Sequence, residues 1–330
     1  MDGSDAGRRR TGVRDVARLA GVSTQTVSRV INEHSNVRDE TRRRVLDAMA
    51  ELDYRVDNAA RALGTRSTRT LGIIASDATL YGPAAGIAAL EHAAREAGRW
   101  IATAYADAED EESVSDAASR LLAQGVDGII VVAPHAGALG ALAARGLDVP
   151  LAALHGGAGA EAQRAGAALA AGHLADLGHR RIARLSGPED WIEATAREEG
   201  FDAVIASRRL LAGPRWEGDW SAASGAAVSG EVVRAARESG GPTAVVVAND
   251  QMALGLVAGL RAAGLDVPGD LSVTGFDDNP DAAYYRPALT TVRLDVAGEA
   301  RRCVAEVLGR PADLPAAPPV LVARDSTRAR

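Results

Sequence analysis

The sequence of 330 residues predicts an α/β protein with a three-helix head, a hinge and a two-lobed core of doubly wound parallel sheets. Residues 13–32 have the apolar spacing of two short helices joined by a tight turn. After residue 70, short apolar strands alternate with helices in two successive sets, which is typical of parallel sheets built from βαβ units. The charge is divided unevenly, because residues 1–70 carry 14 arginines against 10 acidic residues and the rest carries 23 against 34.

The composition is that of a globular protein of two or three domains, with 47% apolar residues and a net charge of −7. A basic head on an acidic body indicates that the head binds DNA and that the body has another task. Cys303 is the single cysteine, so we exclude an internal disulfide and expect a reducing cytoplasm. A DNA-binding protein is expected to be associated with the nucleoid there. We expect no signal peptide and no membrane partner, because no apolar run has the required length.

The head opens with two helices that share an apolar contact. The first places four apolar residues on one face, namely Val13, Val16, Ala17 and Ala20. Gly21 ends this helix, because glycine accepts the positive φ of a C-terminal cap, and Ser23 can cap the next helix. The buried side of the second helix is formed by Val27, Val30 and Ile31.

The other side of the second helix carries side chains that can bond to base edges: Thr24, Gln25, Ser28, Arg29 and Asn32. This is the pattern of a helix-turn-helix whose second helix lies in a major groove. The alternative is an ordinary helical hairpin with a solvated polar face. The turn chemistry and the polar face agree with each other and favour the helix-turn-helix.

The rest of the head, which spans 11–57 after a disordered tail at 1–10, is predicted to support DNA binding. A third helix over 38–52 has the apolar stripe Val45, Leu46, Met49 and Leu52. Asn36 and the run 42–44 are placed where contacts to the DNA backbone would fix the register. Residues 58–70 form a hinge helix and linker, in which Leu63 is an apolar wedge for a minor-groove step once two copies pair on DNA.

The core is predicted as two lobes. The first set has strands L-G-I-I-A, W-I-A-T-A-Y, D-G-I-I-V-V-A and V-P-L-A-A-L, with helices over 83–98, 111–125 and 138–146. The second has strands R-I-A-R-L-S, one near Leu210, T-A-V-V-V-A and L-S-V-T-G-F, with helices over 164–178, 191–204, 222–239 and 252–264. We assign 71–164 with 296–323 to the first lobe and 165–295 with 324–330 to the second. Ligands of such folds lie beyond the strand ends, here between the lobes.

Polar and aromatic residues at these strand ends predict a sugar-binding pocket. Arg197, Asn249 and Asp277 offer bidentate donors and acceptors for adjacent hydroxyls, and the Trp220 ring can pack on a pyranose. Taken singly, the arginine could form a surface salt bridge, the tryptophan could belong to the core, and the other two could cap the segments that follow. Ser76, Asp77, Leu80 and Pro83 follow the first strand of the first lobe.

No pattern indicates an enzyme, a metal site or a cofactor. His173 and His179 lie six residues apart with no completing cysteine or acid, and no G-x-S-x-G, P-loop or complete G-x-G-x-x-G occurs. Asp277 and Asp278 are neighbours in sequence, so their side chains point apart and do not form an acid–base pair.

Three motifs carry a family resemblance that extends through nearly the whole chain. D-V-A-x-x-A-G-V-S-x-x-T-V-S-R-V-I-N, T-R-x-x-V-L-x-A-M-x-E-L-x-Y and A-R-x-L resemble the head and hinge of the lactose-repressor (LacI/GalR) family. The resemblance implies a type I periplasmic-binding-protein-like core. It places Thr24, Gln25 and Arg29 at base-reading positions and Leu63 at the intercalating hinge position. Effector contacts fall on Arg197, Trp220, Asn249 and Asp277, and more loosely on Ser76, Leu80 and Pro83.

Three features depart from the family pattern: His155 stands in place of an aspartate, the segment 156–163 is short and rich in glycine and alanine, and Val296 replaces a pocket phenylalanine. Taken alone, His155 in its glycine-rich loop is expected to be solvated. No leucine-heptad tail follows Arg324, so we expect a homodimer without tetramerisation.

By resemblance, the protein is a repressor of carbohydrate-utilisation genes that a galactoside-like sugar releases from a pseudo-palindromic DNA operator. A corepressor type, in which ligand strengthens DNA binding, is the nearest alternative. A transport-type sugar-binding protein and an enzyme fused to a DNA head fit the sequence less well.

Overall fold

A computed structural model describes residues 11–32, 36–54, 67–76, 78–107, 110–132, 134–312 and 314–330. The chain forms two compact units, Met1–Thr68 and Arg69–Arg330. The predicted tail, most of the predicted hinge with Leu63, and Asp77 lie outside the described residues.

The head contains three helices, α1 (Val13–Ala20), α2 (Thr24–Ile31) and α3 (Asp39–Glu51). Gly21 has the predicted left-handed conformation, with φ of 65°, and ends α1. The Ser23 hydroxyl accepts a hydrogen bond from the Thr26 amide at 3.1 Å and so caps α2. One fully buried valine from each helix meets in the centre: Val16, Val27 and Val45.

The predicted apolar stripe of α3 was wrong at one position and incomplete at another. Leu46 is 49% exposed, because Val45 and Ala48 take the buried face and Leu46 is rotated away from it. Arg44 donates from Nη2 to the carbonyl oxygen of Ala20 at 3.0 Å. It thereby satisfies a carbonyl at the end of α1, so its guanidinium has a structural task inside the head.

The core has the predicted two parallel sheets. The first sheet has the order β2-β1-β3-β4, with β1 (Thr70–Ala75), β2 (Trp100–Tyr105), β3 (Ile129–Val132) and β4 (Leu151–Ala153). Its helices are α4 (Tyr81–Glu96), α5 (Glu111–Ala123) and α6 (Ala136–Ala144). The second sheet has the order β6-β5-β7-β8, with β5 (Arg181–Ser186), β6 (Leu211–Glu217), β7 (Ala244–Val247) and β8 (Ser272–Thr274). Its helices are α7 (Ala158–Asp176), α8 (Ile192–Ser207), α9 (Ala222–Ala227), α10 (Ser229–Arg237) and α11 (Asp250–Ala262).

Two predicted helices differ from those observed. The helix expected from residue 164 begins at Ala158, so most of the segment 156–163 is helical. Alanine is the strongest helix former, and Gly157, with φ of 55°, provides the turn before the helix. The helix expected over 222–239 is interrupted at Val228, which ends α9 and precedes α10.

The tail returns to both lobes. Helix α12 (Val296–Val307) packs on α4 and β4, and Cys303 is buried in the first-lobe core, as a small apolar residue would be. Strand β10 (Val320–Val322) pairs antiparallel with β9 (Thr291–Arg293), and Leu321 packs against the second-lobe core. Assigning 296–323 to the first lobe was therefore wrong for β10, because the apolar surface that β10 covers belongs to the second lobe. Among the described residues, no helix is both long and apolar enough to cross a membrane.

Candidate effector cavity

A cavity of about 670 Å³, mouth included, opens where the ends of the two sheets face each other. Six of the seven predicted effector residues line it: Leu80, Pro83, Arg197, Trp220, Asn249 and Asp277. The seventh, Ser76, lies instead on a neighbouring outer cavity, which shares Leu80, Trp191 and Trp220 with the first.

Arg197 is held rigidly in the wall of this cavity. Its Nε donates to Gln163 Oε1 at 2.8 Å, its Nη1 donates to the carbonyl oxygen of Ala248, and its Nη2 lies 3.5 Å from Asp277 Oδ1. The guanidinium carbon lies 3.9 Å from the centre of the Phe276 ring, a cation–π contact. The surface salt bridge considered for this residue is therefore wrong, since its side chain is only 11% exposed and is fixed from four sides.

Asp277 is the acidic partner of that arginine. Desolvation raises the pKa of its carboxyl to about 6, and the nearby Arg197 charge opposes the rise. Its φ of 106° is unusual for a residue with a side chain, and such strained positions cluster at functional sites. Asp278 next to it serves the fold, since Arg293 and Arg324 each hold its carboxylate at 2.5 Å.

Asn249 both caps a helix and lines the cavity. Its Oδ1 accepts from the Met252 amide at 2.8 Å, at the start of α11, and its Nδ2 donates to the carbonyl oxygen of Trp220 at 2.9 Å. The capping alternative is thus correct without removing Asn249 from the site. The second bond fixes the backbone of Trp220, which has φ of 72°.

The aromatic wall is formed by two tryptophans. The rings of Trp191 and Trp220 meet edge to face, with centres 5.4 Å apart. Trp220 is buried, but its indole Nε1 has no hydrogen-bond partner. Gly187 makes room for this ring, because a Cβ there would lie 2.1 Å from the indole. Trp220 therefore belongs to the core and faces the cavity at once.

Sequence reasoning missed three polar residues of the cavity: His155, Gln163 and Glu193. Each of them has a shifted pKa or an atom without a hydrogen-bond partner. His155 was expected to be solvated and instead lines the cavity, where burial lowers the pKa of its ring to about 4 and keeps it neutral. Gln163 Nε2 and Glu193 Oε2 are buried and have no hydrogen-bond partner. The sequence could have identified Glu193 as a cavity residue, because it lies four residues before Arg197 and therefore on the same helix face.

Five of the six described residues that were predicted to contact DNA are exposed, as the prediction needs. Thr24, Gln25, Ser28 and Arg29 are exposed on α2. Asn32 is half-buried and donates from Nδ2 to Ser28 Oγ at 3.3 Å, whereas Asn36 is exposed. Their contacts with bases or phosphates stay predictions.

Across the described part of the chain, no group of three or more His, Cys, Asp or Glu is placed to hold a metal ion.

Comparison with known proteins identifies both parts of the chain. Residues 13–57 match the family of bacterial regulatory proteins described as the lacI family, and residues 171–327 match a periplasmic-binding-protein-like domain. The chain is 36% identical over 289 residues to the lactose operon repressor of Escherichia coli (strain K12), covering 85% of this chain and 79% of the repressor. It belongs to the lacI family. The predicted family resemblance is therefore confirmed.

Other lacI-family proteins agree in fold and length. The transcriptional repressor PurR of Vibrio parahaemolyticus is 34% identical over 292 residues, which cover 85% of this chain and 86% of PurR. A crystal structure of the lac repressor dimer bound to operator and an anti-inducer superposes with a TM-score of 0.79 at 32% identity. It covers 97% of this chain and 100% of the repressor chain. The predicted fold class is confirmed, and the protein is a DNA-binding transcriptional regulator rather than an enzyme.

Proposed function

We propose that this regulator is a homodimeric repressor of carbohydrate-utilisation genes, and that a galactoside-like sugar in the cavity releases it from a pseudo-palindromic operator. The observation that carries the proposal is the cavity itself. It combines fixed bidentate groups with a tryptophan wall at the ends of two parallel sheets. Such a surface suits a ring with hydroxyls on its edge and C–H bonds on its faces.

The polar groups of the cavity are arranged for hydroxyls. Arg197 and Asp277 lie side by side, so they present a donor and an acceptor to adjacent hydroxyls of one sugar. Gln163 Nε2 and Trp220 Nε1 are buried donors without partners, which hydroxyl oxygens would satisfy. A solved relative supports a sugar ligand, since the transcriptional regulator CelR in complex with cellobiose has a TM-score of 0.64 at 26% identity.

The head supports sequence-specific reading by two copies. The exposed side of α2 carries Gln25 and Arg29, side chains that bond bidentately to adenine and guanine edges respectively. The lac repressor that this chain resembles was crystallised as a dimer on its operator. We assign base contacts to Thr24, Gln25, Ser28, Arg29 and Asn32, a backbone contact to Asn36, and the minor-groove wedge to Leu63, all in a cytoplasmic homodimer.

Release requires that the sugar bind one arrangement of the lobes more tightly than the other. Leu80 and Pro83 line the cavity from the first lobe, and Arg197 and Asn249 line it from the second. A sugar that contacts both sides therefore stabilises the arrangement that fits it. In this proposal, that arrangement holds the two hinges apart and weakens operator binding.

Fluorescence anisotropy tests the proposal with DNA from upstream of the gene itself and a panel of galactosides and glucosides. The salt concentration is held fixed, because phosphate contacts make affinity strongly salt-dependent. Release by one sugar supports an inducer. Tighter binding with a ligand would establish the corepressor type instead. Tight DNA binding that no sugar alters would rule out the sugar assignment.

A further inference from the structure

One carboxyl group on the cavity wall is buried without an ion pair. Glu193, on α8, is 6% exposed, and its Oε2 has no hydrogen-bond partner. Arg197 follows one turn later, but its N–H groups bond to Gln163 and Ala248 and face Asp277. A buried carboxylate oxygen without a hydrogen-bond partner is unfavourable when the group is ionised, because water no longer solvates its charge.

The other charged groups that line the cavity form no ion pair with Glu193. Arg197 and Asp277 offset each other at 3.5 Å. His155 is neutral, because burial lowers its pKa to about 4. Among the cavity residues that the structure describes, Glu193 is thus the acid without an ion pair. Desolvation raises its pKa to about 7, so the carboxyl is ready to ionise when a cation enters.

We propose that the effector is an amino sugar whose protonated amine pairs with Glu193. This inference rests on the proposed function, because it names the class of sugar that the same cavity takes. A neutral hydroxyl in that place leaves the carboxylate charge uncompensated, whereas an ammonium group both donates hydrogen bonds and supplies the charge.

The remaining unpartnered atoms of the cavity fit the rest of such a ligand. Gln163 Nε2 and Trp220 Nε1 are donors, which suit hydroxyl oxygens and not an ammonium. Glu193 Oε2 is the unpartnered acceptor of the same wall. One ring that carries hydroxyls and a single amine satisfies all three.

The test measures sugar affinity through tryptophan fluorescence of the full-length protein, since Trp191 and Trp220 line the cavity. The probes are two matched sets: glucosamine, glucose and N-acetylglucosamine, and galactosamine, galactose and N-acetylgalactosamine. Within at least one set, we expect the amine to bind at least tenfold more tightly than both neutral sugars. Glu193→Gln, which keeps the shape and removes the charge, should abolish that preference.

Glu189→Gln is the matched control, because Glu189 lies near the start of the same helix with its side chain 74% exposed. It should keep the full preference for the amine. A preference that survives in Glu193→Gln would overturn the inference, as would wild-type protein that binds neutral sugars as tightly as amines.

Operator release, recorded on the same samples, separates this inference from the proposed function. If a neutral sugar releases wild-type protein at as low a concentration as the matched amine does, the amino-sugar inference is wrong and the sugar-released repressor stands. If amines bind through Glu193 without releasing DNA, the inference stands and the release mechanism is wrong. If none of the six sugars binds, both are wrong for these sugars, and the assignment of Glu193 to an amine falls with them.

Discussion

The exposed face of α2 and the polar wall of the cavity use similar side chains under opposite conditions. On α2, Gln25 and Arg29 are exposed. In the cavity, Arg197 is largely buried and Asn249 is buried, and both are already bonded to the protein. A free side chain can adjust to the partner that it meets, whereas a fixed one selects the partner that fits. The comparison predicts large, ligand-specific losses in the cavity and smaller, graded losses on the head.

The largest expected effect is at Arg197. Arg197→Ala removes three bonds at once and leaves Asp277 without its cation. We expect sugar affinity to fall more than 100-fold, which is about 3 kcal/mol, with operator affinity within a few-fold of wild type. Anisotropy with and without sugar measures both. Arg208→Ala, at the exposed end of the same helix, is the control, and loss of operator binding in Arg197→Ala alone would contradict its role as an effector contact.

A second prediction concerns the pH dependence of stability. The pKa of Glu193 is about 7 in the folded protein against 4.5 ordinarily. Between these values the unfolded chain is ionised and the folded chain is protonated, so stability falls as pH rises and the cost is complete above pH 7. Glu193→Gln removes that cost.

The stabilisation by Glu193→Gln should be near zero at about pH 4 and reach at most about 3 kcal/mol at about pH 8. Thermal unfolding of variant and wild type across this range measures it. The difference between the two proteins isolates Glu193 from Asp277 and Asp250, whose pKa values burial also raises, to about 6 and about 8. A constant difference across the range would show that Glu193 is not buried in solution as the structure has it.

The third prediction addresses the reading face. Gln25→Ala should weaken operator binding by about 1–3 kcal/mol and leave binding to unrelated DNA nearly unchanged, because a base contact adds to specific binding only. Anisotropy on both DNAs at one salt concentration measures the ratio. Equal losses on the two DNAs would mean that Gln25 contacts the backbone instead of a base.

Features that depend on local spacing could be predicted from the sequence, whereas features that depend on contacts between distant residues could not. The face of α2 follows from spacing within eight residues. The positions at strand ends, together with the family resemblance, selected seven effector residues, of which six line one cavity. The errors lie where distant contacts decide. Leu46 is exposed because Val45 and Ala48 occupy the packed side, and His155 is enclosed by residues remote in sequence. No local pattern could show that Asn249 would bond to Trp220 while it capped its own helix.

The smallest effect separates two serines of the head that the same substitution should affect differently. Ser23 accepts the Thr26 amide at 3.1 Å, whereas Ser28 is exposed on the reading face. Ser23→Ala removes a cap worth about 1 kcal/mol, so hydrogen exchange of the α2 amides should quicken roughly fivefold, with operator affinity changed only as far as the head unfolds. Ser28→Ala removes only the exposed, 3.3 Å hydrogen bond from Asn32 Nδ2, so it should change exchange little and weaken operator binding directly. If Ser28→Ala quickened exchange as much, the reading face would also be holding the helix together, and the distinction between free and fixed side chains would not hold for α2.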